Sequence, residues 1–235
     1  MNQFISVLKQ LPQPHLIASF FTLSVVGFLL YFQKVNRWSI ETRAFRIIIF
    51  FPLIIELVYQ FAALSYGVWS LNSSLPLEFS YISSLSVLGY LSKKHKRING
   101  WLYFAGIWSA SAAFINTIMF GNETWFVFLR YYGHHGLLLY FGLRSLFWGF
   151  RPKRKDYFNA IGLTTIILFF VHLINYVLKT NYMFTYSRPK GANVSQIMPE
   201  WPSYILLILG IGVLYYTLLY FLGRQKSQTK RIYAG

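Results

Sequence analysis

The sequence predicts an all-α membrane protein, a polytopic helix bundle with about seven transmembrane helices, its N-terminus outside and its C-terminus cytoplasmic. Of the 235 residues, 55% are hydrophobic and only 12% are charged, a composition too apolar for a domain surrounded by water. A bilayer core about 30 Å thick requires roughly 20 apolar residues per helix, so the chain has room for six or seven spans. We therefore expect a single transmembrane domain over residues 1–235.

Seven apolar runs supply the predicted spans, with end points good to about two to four residues. In chain order the runs cover residues 16–32, 44–64, 75–91, 101–119, 126–148, 158–178 and 204–222. Tryptophan favours the membrane–water interfaces, and all but one of the 7 tryptophans fall at predicted ends: Trp38, Trp69, Trp101, Trp125, Trp148 and Trp201. Only Trp108 lies in the middle of a predicted span.

Basic residues predict the orientation, because cytoplasmic loops carry an excess of Lys and Arg. Most of the 22 Lys and Arg follow the first, third, fifth and seventh spans. They form four groups: Lys34, Arg37, Arg43 and Arg46; Lys93, Lys94, Lys96 and Arg97; Arg151, Lys153, Arg154 and Lys155; and Arg224, Lys226, Lys230 and Arg231. The net charge of +16 therefore predicts membrane lipids as partners, with anionic headgroups at the cytoplasmic face, and no nucleic acid. We expect a multi-pass protein of the plasma membrane.

Polar side chains inside the predicted spans are candidate functional groups, because ionisable ones cost several kcal/mol in lipid unless they are paired or hydrated. With a rise of about 1.5 Å per residue, one set of them lies within roughly 5 to 13 Å of the outer ends of the spans. It comprises Glu56, Gln60, Glu78, Ser80, Asn116, Arg130, His134, His135, His172 and Asn175. These residues predict a polar pocket that opens toward the outer leaflet, beneath the long connection 179–203. Arg144 lies toward the inner side, where we expect it to reach the cytoplasmic interface.

Structural interpretations of these residues stay open beside the functional one. Arg130 and Glu56 can pair and hold two helices together, as charges inside membranes usually do. Adjacent His134 and His135 point about 100° apart on a helix, so one pocket is not expected to take both.

The same holds for the remaining members of the set. Glu78 can be a carboxylate in the first turn of a helix, where the helix dipole favours it. His172 and Asn175, three residues apart, can form a hydrogen-bonding pair between helices. Ser80 and the serines that follow it can serve as small packing residues.

No metal or cofactor is predicted. The chain has no cysteine, which removes disulfides, thiolate ligands and cysteine nucleophiles. It has no His-X-X-X-His pair for zinc, although a site built across helices from His134 or His135, His172 and a glutamate remains an alternative. Ser80 and His135 have compatible depths for a nucleophile and its base. Glu78, two residues before Ser80, would face nearly the opposite side of a regular helix.

Four short motifs resemble those of one family. Residues 75–80, Leu-Pro-Leu-Glu-Phe-Ser, resemble its Leu-Pro-Leu-His-Leu-Cys motif, and His135-Gly136 resembles its His-Gly on the fifth span. Residues 180–184, Thr-Asn-Tyr-Met-Phe, and residues 201–204, Trp-Pro-Ser-Tyr, resemble its last two motifs, in the same order. The family is the YwaF-type bacterial integral membrane proteins, relatives of the eukaryotic transmembrane protein 164. The resemblance covers roughly the C-terminal two thirds of the chain.

The resemblance implies a lipid-directed acyltransferase or hydrolase in a bacterial membrane. The eukaryotic arm is similar to acyltransferases that act on phospholipids through a cysteine and a histidine, and a distant branch hydrolyses lipid esters with a threonine. Here Ser80 stands in place of the cysteine and Glu78 in place of the motif's histidine, while His135 is kept. The implied catalytic residues are Ser80 as nucleophile, His135 as base and Glu78, with Arg130, orienting groups or binding a headgroup.

The predicted substrate-binding residues are the other members of the pocket together with two residues of the 180–184 motif: Glu56, Gln60, Asn116, Arg130, His134, His172, Asn175, Asn181 and Tyr182. Two functions without catalysis remain alternatives, because the cysteine is absent. One is a binding or transport protein for a small polar ligand, with the long connection as a lid. The other is a scaffold that contacts another membrane protein through a glycine-containing span such as the one with Gly210 and Gly212.

Overall fold

The computed structural model describes residues 2–36, 42–92 and 95–225. These residues form nine α-helices and no β-strand. The α-helices are α1 (Asn2–Lys9), α2 (Gln13–Val35), α3 (Arg43–Ser65), α4 (Phe79–Leu85), α5 (His95–Trp101), α6 (Ile107–Ile115), α7 (Trp125–Phe147), α8 (Arg154–Leu178) and α9 (Ser203–Gln225). A 3₁₀ helix (Ser86–Leu91) continues α4, a π-helical stretch (Leu102–Gly106) joins α5 to α6, and short 3₁₀ helices (Tyr182–Phe184 and Val194–Ile197) lie between α8 and α9.

Every predicted span overlaps a helical segment, which confirms the all-α class. Four helices, α2, α3, α8 and α9, are long and apolar enough to cross a membrane, with mean hydropathies of 1.9, 2.2, 2.1 and 2.3. The helical run Phe79–Leu91 is shorter than a span, and α7 carries polar residues that lower its hydropathy. The span count of seven and the orientation of the termini therefore stay predictions.

Helix α7 occupies the centre of the bundle and packs against α2, α3, α4, α6 and the π-helical stretch. Two glycines make the closest of these contacts possible. A Cβ atom on Gly106 would lie 2.9 Å from the Leu138 carbonyl oxygen, and one on Gly142 would lie 3.0 Å from the Leu102 carbonyl oxygen. Small residues let membrane helices approach to backbone contact, so α7 and the α5–α6 segment form a tightly packed unit.

Helices α8 and α9 flank this unit and are largely exposed: only 11% of the apolar window of each is buried inside the protein. They meet the π-helical stretch in a buried apolar cluster that includes Phe104, Ala160, Tyr216 and Leu219. In a bilayer the exposed faces of α8 and α9 would contact lipid.

Contacts between the connections define two ends of the bundle. We call one of them the loop end, because connections 66–78 and 179–202 lie there. At this end the Thr117 amide donates a hydrogen bond to the Ala192 carbonyl, and the Tyr182 hydroxyl donates one to the Leu71 carbonyl. At the opposite end, which we call the basic end, Gly223 packs on Pro152. Successive long helices therefore run in alternate directions. The described basic residues that end or begin helices at the basic end include Lys34, Arg43, Lys153, Arg154 and Arg224.

Some predictions about the basic end lie outside the described residues: those for Arg37, Trp38, Lys93, Lys94, Lys226, Lys230 and Arg231. The prediction for Arg144 was wrong. Instead of reaching the interface, this side chain is buried, with its guanidinium 4.0 Å from the centre of the Phe45 ring and 5.2 Å from that of Trp148. Aromatic faces attract a guanidinium, so the rings replace water as its surroundings.

Candidate functional site

A cavity of about 540 Å³ lies between α6, α8 and α9 on one side and α4 and α7 on the other. Its volume falls within the range of about 300 to 1,000 Å³ that is usual for small-molecule sites. Most of the lining is apolar, but one side, which we call the polar wall, carries Glu78, Ser80, Tyr131 and His135. The cavity is thus amphipathic: a carboxylate, a serine hydroxyl, a phenol and an imidazole are grouped on the polar wall, and further hydroxyl groups lie on α6, α8 and α9 within a mostly apolar lining.

Two faces of α7 separate the polar residues into two environments. Tyr131 and His135, four residues apart, line the cavity. Arg130 and His134, also four apart, lie one position earlier and pair with Glu56 of α3. Because residues at i and i+4 share a helix face while neighbours point about 100° apart, His135 belongs to the cavity and His134 to a separate polar network.

The hydrogen bond of the His135 ring determines which nitrogen can accept a proton. Its Nδ1 lies 2.7 Å from the Tyr131 carbonyl oxygen, one turn earlier in α7. A carbonyl only accepts hydrogen bonds, so Nδ1 carries a proton, and in the neutral ring Nε2 is the unprotonated nitrogen. The backbone of α7 therefore holds the ring in the tautomer whose Nε2 can accept a proton.

Ser80 and Glu78 line the same cavity although they are only two residues apart. The expectation that they face opposite sides of a helix was wrong, because Glu78 precedes α4 in an extended conformation (φ −71°, ψ 146°). The Ser80 side chain is buried in the first turn of α4. Within the described residues no hydrogen bond joins Ser80 to His135; such bonds often form only in the complex with substrate.

The Glu78 carboxylate connects α4 to the connection between α8 and α9. Its Oε2 accepts a hydrogen bond of 3.0 Å from the Met183 amide. Met183 also lines the cavity, so Glu78 fastens this part of the connection against the polar wall.

Arg130 is at the centre of the polar network. Its Nε and Nη2 donate to the two oxygens of the Glu56 carboxylate at 3.0 and 2.9 Å. The guanidinium also donates to the Ser73 and Ser74 carbonyls at 3.2 and 3.0 Å. It lies between two rings, 3.8 Å from the centre of Tyr59 and 4.1 Å from that of Tyr81, so all its faces are occupied.

Gln60 and His134 complete this network. Gln60 Nε2 donates to Glu56 Oε1 at 2.7 Å, and Nε2 of His134 lies 3.5 Å from Glu56 Oε2. On its other side, His134 Nδ1 hydrogen-bonds to Ser84. The described lining of the cavity includes none of the four residues of this network, which are Glu56, Gln60, Arg130 and His134. The pairing alternative therefore matches the contacts, and these four residues connect α3, α4 and α7.

The predicted binding residues near the 180–184 motif organise the long connection. Asn175 is 1% exposed; its Nδ2 donates to the Tyr182 carbonyl and to Thr185 Oγ1, and its Oδ1 accepts from Thr180 Oγ1 and the Tyr182 amide. Tyr182 in turn donates its hydroxyl to the Leu71 carbonyl, and burial raises its pKa above the ordinary value. The Thr-Asn-Tyr-Met-Phe motif thus holds the two loop-end connections together.

The three remaining predicted residues have different positions. Asn116 lines the cavity, and its Oδ1 accepts from the Val194 amide at 2.8 Å. Asn181 accepts from the Tyr186 and Ser187 amides in an exposed part of the connection. The His172 ring stacks on Tyr186 at 4.5 Å, away from the described lining of the cavity. Asn175 and His172 therefore do not form the predicted pair.

Replacing Asn175 is expected to loosen the long connection. Asn175→Ala removes four hydrogen bonds and leaves the buried Tyr182 amide without a partner, at a cost of about 1–3 kcal/mol. Asn181→Ala is the matched control, because it also removes four hydrogen bonds but in an exposed segment where water can replace them. Thermal unfolding in detergent, with limited proteolysis of the connection, measures both. Equal losses in the two variants would contradict the role of Asn175.

Sequence reasoning missed several residues of the cavity. Trp108 and Ser109 of α6 line it, and the one tryptophan in mid-span was the signal that could have indicated them. Helix α1 was missed because it is short: Phe4 lines the cavity, while Val7 is buried and the helix packs on Val194–Ile197. No group of His, Cys, Asp and Glu that could hold a metal ion occurs among the described residues.

Fold and site together define a helical membrane protein with an amphipathic cavity, lined by a serine and an oriented histidine, between its central helix and two peripheral helices. The chain belongs to the TMEM164 family, whose match extends over residues 10–220. This confirms the family resemblance and extends it beyond the C-terminal two thirds. No curated protein and no solved structure matches the chain.

Proposed function

We propose that this protein is an acyl-transfer enzyme for membrane lipids, a hydrolase or acyltransferase in which Ser80 is the nucleophile and His135 the general base. The observation that carries the proposal is that both residues line one amphipathic cavity, where the Tyr131 carbonyl holds His135 with Nε2 unprotonated. A serine hydroxyl is a weak nucleophile until a base takes its proton, and Nε2 is such a base.

The shape and chemistry of the cavity support a fatty-acyl ester as substrate. Such an ester has one polar carbonyl at the end of a long apolar chain. The polar wall supplies hydrogen-bonding groups, and apolar side chains such as Ala112, Leu168 and Ile208 make up most of the remaining lining. An acyl chain against α6, α8 and α9 would therefore present its carbonyl to Ser80.

The chemistry would proceed in two balanced halves. Ser80 Oγ forms a bond to the carbonyl carbon while its proton passes to His135 Nε2. The ester C–O bond then breaks, and the leaving alcohol takes the proton from His135, which leaves an acyl ester on Ser80. Water or the hydroxyl of a second lipid attacks this ester, with His135 again accepting and returning one proton. The products are a fatty acid or a new lipid ester and free Ser80.

Glu78 and Asn116 act in this proposal as positioning residues. Glu78 holds the Met183 amide, and Asn116 holds the Val194 amide, so that both parts of the long connection cover the cavity. We leave Glu56, Gln60 and Arg130 out of the substrate site, because the hydrogen bonds they make are directed to the protein itself.

We further propose seven spans, with the loop end outside and the basic end in the cytoplasm of a bacterial plasma membrane. The basic residues at helix ends support this orientation through the positive-inside rule, and anionic headgroups would be their partners. The cavity would then be reached from the outer leaflet.

The small-ligand alternative has less support from the contacts. Its principal anion-binding residue, Arg130, is paired with Glu56 and enclosed by two rings. The scaffold alternative has less support at Gly212, because this glycine lines the cavity. Gly210 is exposed on the same helix and stays available for that role.

The test is lipid turnover by the purified protein in nanodiscs. A diacyl glycerophospholipid and a lysophospholipid with a different chain are supplied together, and mass spectrometry measures free fatty acid and newly esterified lipid. We expect turnover by the wild type and by Ser83→Ala, and none by Ser80→Ala. Ser83 is the matched control: it lies on the same short helix and is fully buried, yet does not line the cavity. Turnover by Ser80→Ala at the wild-type rate would refute the proposal.

A further inference from the structure

Toward the basic end, the part of the cavity lining that α9 supplies ends at two tyrosines. Tyr215 and Tyr216 of α9 line the cavity there, and their hydroxyls hydrogen-bond to Ser111 of α6 at 2.8 Å and to Thr164 of α8 at 3.1 Å. Behind them, Tyr216 packs on Phe104 in the buried cluster shared by α6, α8 and α9. We call Tyr215 and Tyr216 the floor of the cavity.

A recess lies one helical turn above this floor. Gly212 is three and four residues before the two tyrosines, so all three share one face of α9. A Cβ atom on Gly212 would meet only the Trp108 ring, at 4.0 Å, an ordinary van der Waals contact. Gly212 thus leaves room in the lining for a Cβ atom, and a larger side chain there would occupy part of the cavity.

Gly210 provides a comparison on the same helix. It is exposed, it does not line the cavity, and a Cβ atom placed on it would have no heavy atom within 4 Å. Leucine at either position replaces a glycine within α9, so both substitutions raise helix propensity alike. Only the one at Gly212 changes the volume of the cavity.

We propose that the recess at Gly212 and the floor formed by Tyr215 and Tyr216 select the acyl chain by length, with Gly212 as the specificity-determining residue. This inference rests on the proposed function, because it places the ester carbonyl at Ser80 and the methyl end of the chain against the floor. From Ile208 to Tyr216 the lining of α9 extends for about 12 Å along the helix, which a single extended chain can follow. Filling the recess shortens the space available to that chain.

The test compares turnover of p-nitrophenyl esters of saturated fatty acids, from butyrate to stearate, by the wild type, Gly212→Leu, Gly212→Ala and Gly210→Leu. We expect Gly212→Leu to lower kcat/KM for palmitate relative to butyrate by about tenfold or more, since even one methylene in a pocket changes selectivity about 10- to 200-fold. Gly212→Ala should shift the ratio less, and Gly210→Leu should keep the wild-type profile. An identical profile in Gly212→Leu and Gly210→Leu would overturn the inference.

The outcomes separate this inference from the proposed function. Turnover of butyrate by every variant, with an unchanged chain-length profile, would contradict chain selection alone. If Ser80→Ala turned over the esters normally, the proposed function would fail. The inference would then be decided by thermal stabilisation with free octanoate and palmitate. We expect Gly212→Leu to lose stabilisation by palmitate while keeping that by octanoate; equal stabilisation of Gly212→Leu and Gly210→Leu by palmitate would overturn it.

Discussion

Ser80→Ala and His135→Gln are each expected to lower kcat/KM for a lipid ester by at least about 10³-fold, and the double variant should lose no more than either single variant. The reason is that nucleophile and base act as one unit: without Nε2 the Ser80 hydroxyl keeps its proton, and without Ser80 the base has no proton to accept. Removing the second member therefore removes a contribution that the first substitution has already abolished.

The measurement is fatty-acid release in nanodiscs, with folding checked by gel filtration and thermal unfolding. Ser83→Ala and His172→Gln are the controls. Ser83 lies on α4 with Ser80, and His172 lies on α8, which also lines the cavity, but neither residue belongs to the described lining. Losses that multiply in the double variant would indicate that Ser80 and His135 act independently.

Arg130→Leu is expected to destabilise the folded protein by about 3–5 kcal/mol. The substitution leaves the Glu56 carboxylate, which is 5% exposed, as an uncompensated charge inside the helix bundle. It also leaves the Ser73 and Ser74 carbonyls without the guanidinium donors. Arg130 therefore matters for the fold through the connection of α3, α7 and residues 66–78, before any role in binding.

Unfolding by denaturant in detergent micelles measures this loss. The matched control breaks an exposed ion pair: Glu200→Ala removes the partner of Arg188, and because the Glu200 side chain is 80% exposed, we expect a loss of about 0–1 kcal/mol. Combining Arg130→Leu with Glu56→Leu should recover part of the stability, because no unpaired charge then remains. A double variant less stable than Arg130→Leu would contradict this account of the pair.

The class of the fold could be predicted from the sequence because apolar runs are its strongest signal. Run 75–91 shows the limit of that signal. Only its last thirteen residues, Phe79–Leu91, are helical, because Glu78 is extended and the residues before it belong to a connection. Length and hydropathy measure apolar content; they do not indicate where the backbone enters a helix.

For the candidate site, the sequence carries information on depth along a span and little on direction around a helix. Ser80 and His135, which have similar predicted depths, both line the cavity. Depth also added Arg130 and His134, which differ from His135 by rotation about the axis of α7 and face α3 instead. Rotation is set by how helices pack, and that depends on contacts between distant parts of the chain. The same reason explains why Asn175 was predicted to bind substrate although it holds the long connection.

The most direct test of the central claim is covalent labelling of the protein in nanodiscs with a long-chain alkyl fluorophosphonate, followed by peptide mass spectrometry. A serine activated by a histidine attacks phosphorus, displaces fluoride as the histidine takes the hydroxyl proton, and keeps the label. We predict a single adduct on Ser80 that is absent in His135→Gln and unchanged in Ser83→Ala. An adduct on another residue, or full lipid turnover by a protein that is never labelled at Ser80, would contradict the claim that Ser80 and His135 transfer acyl groups.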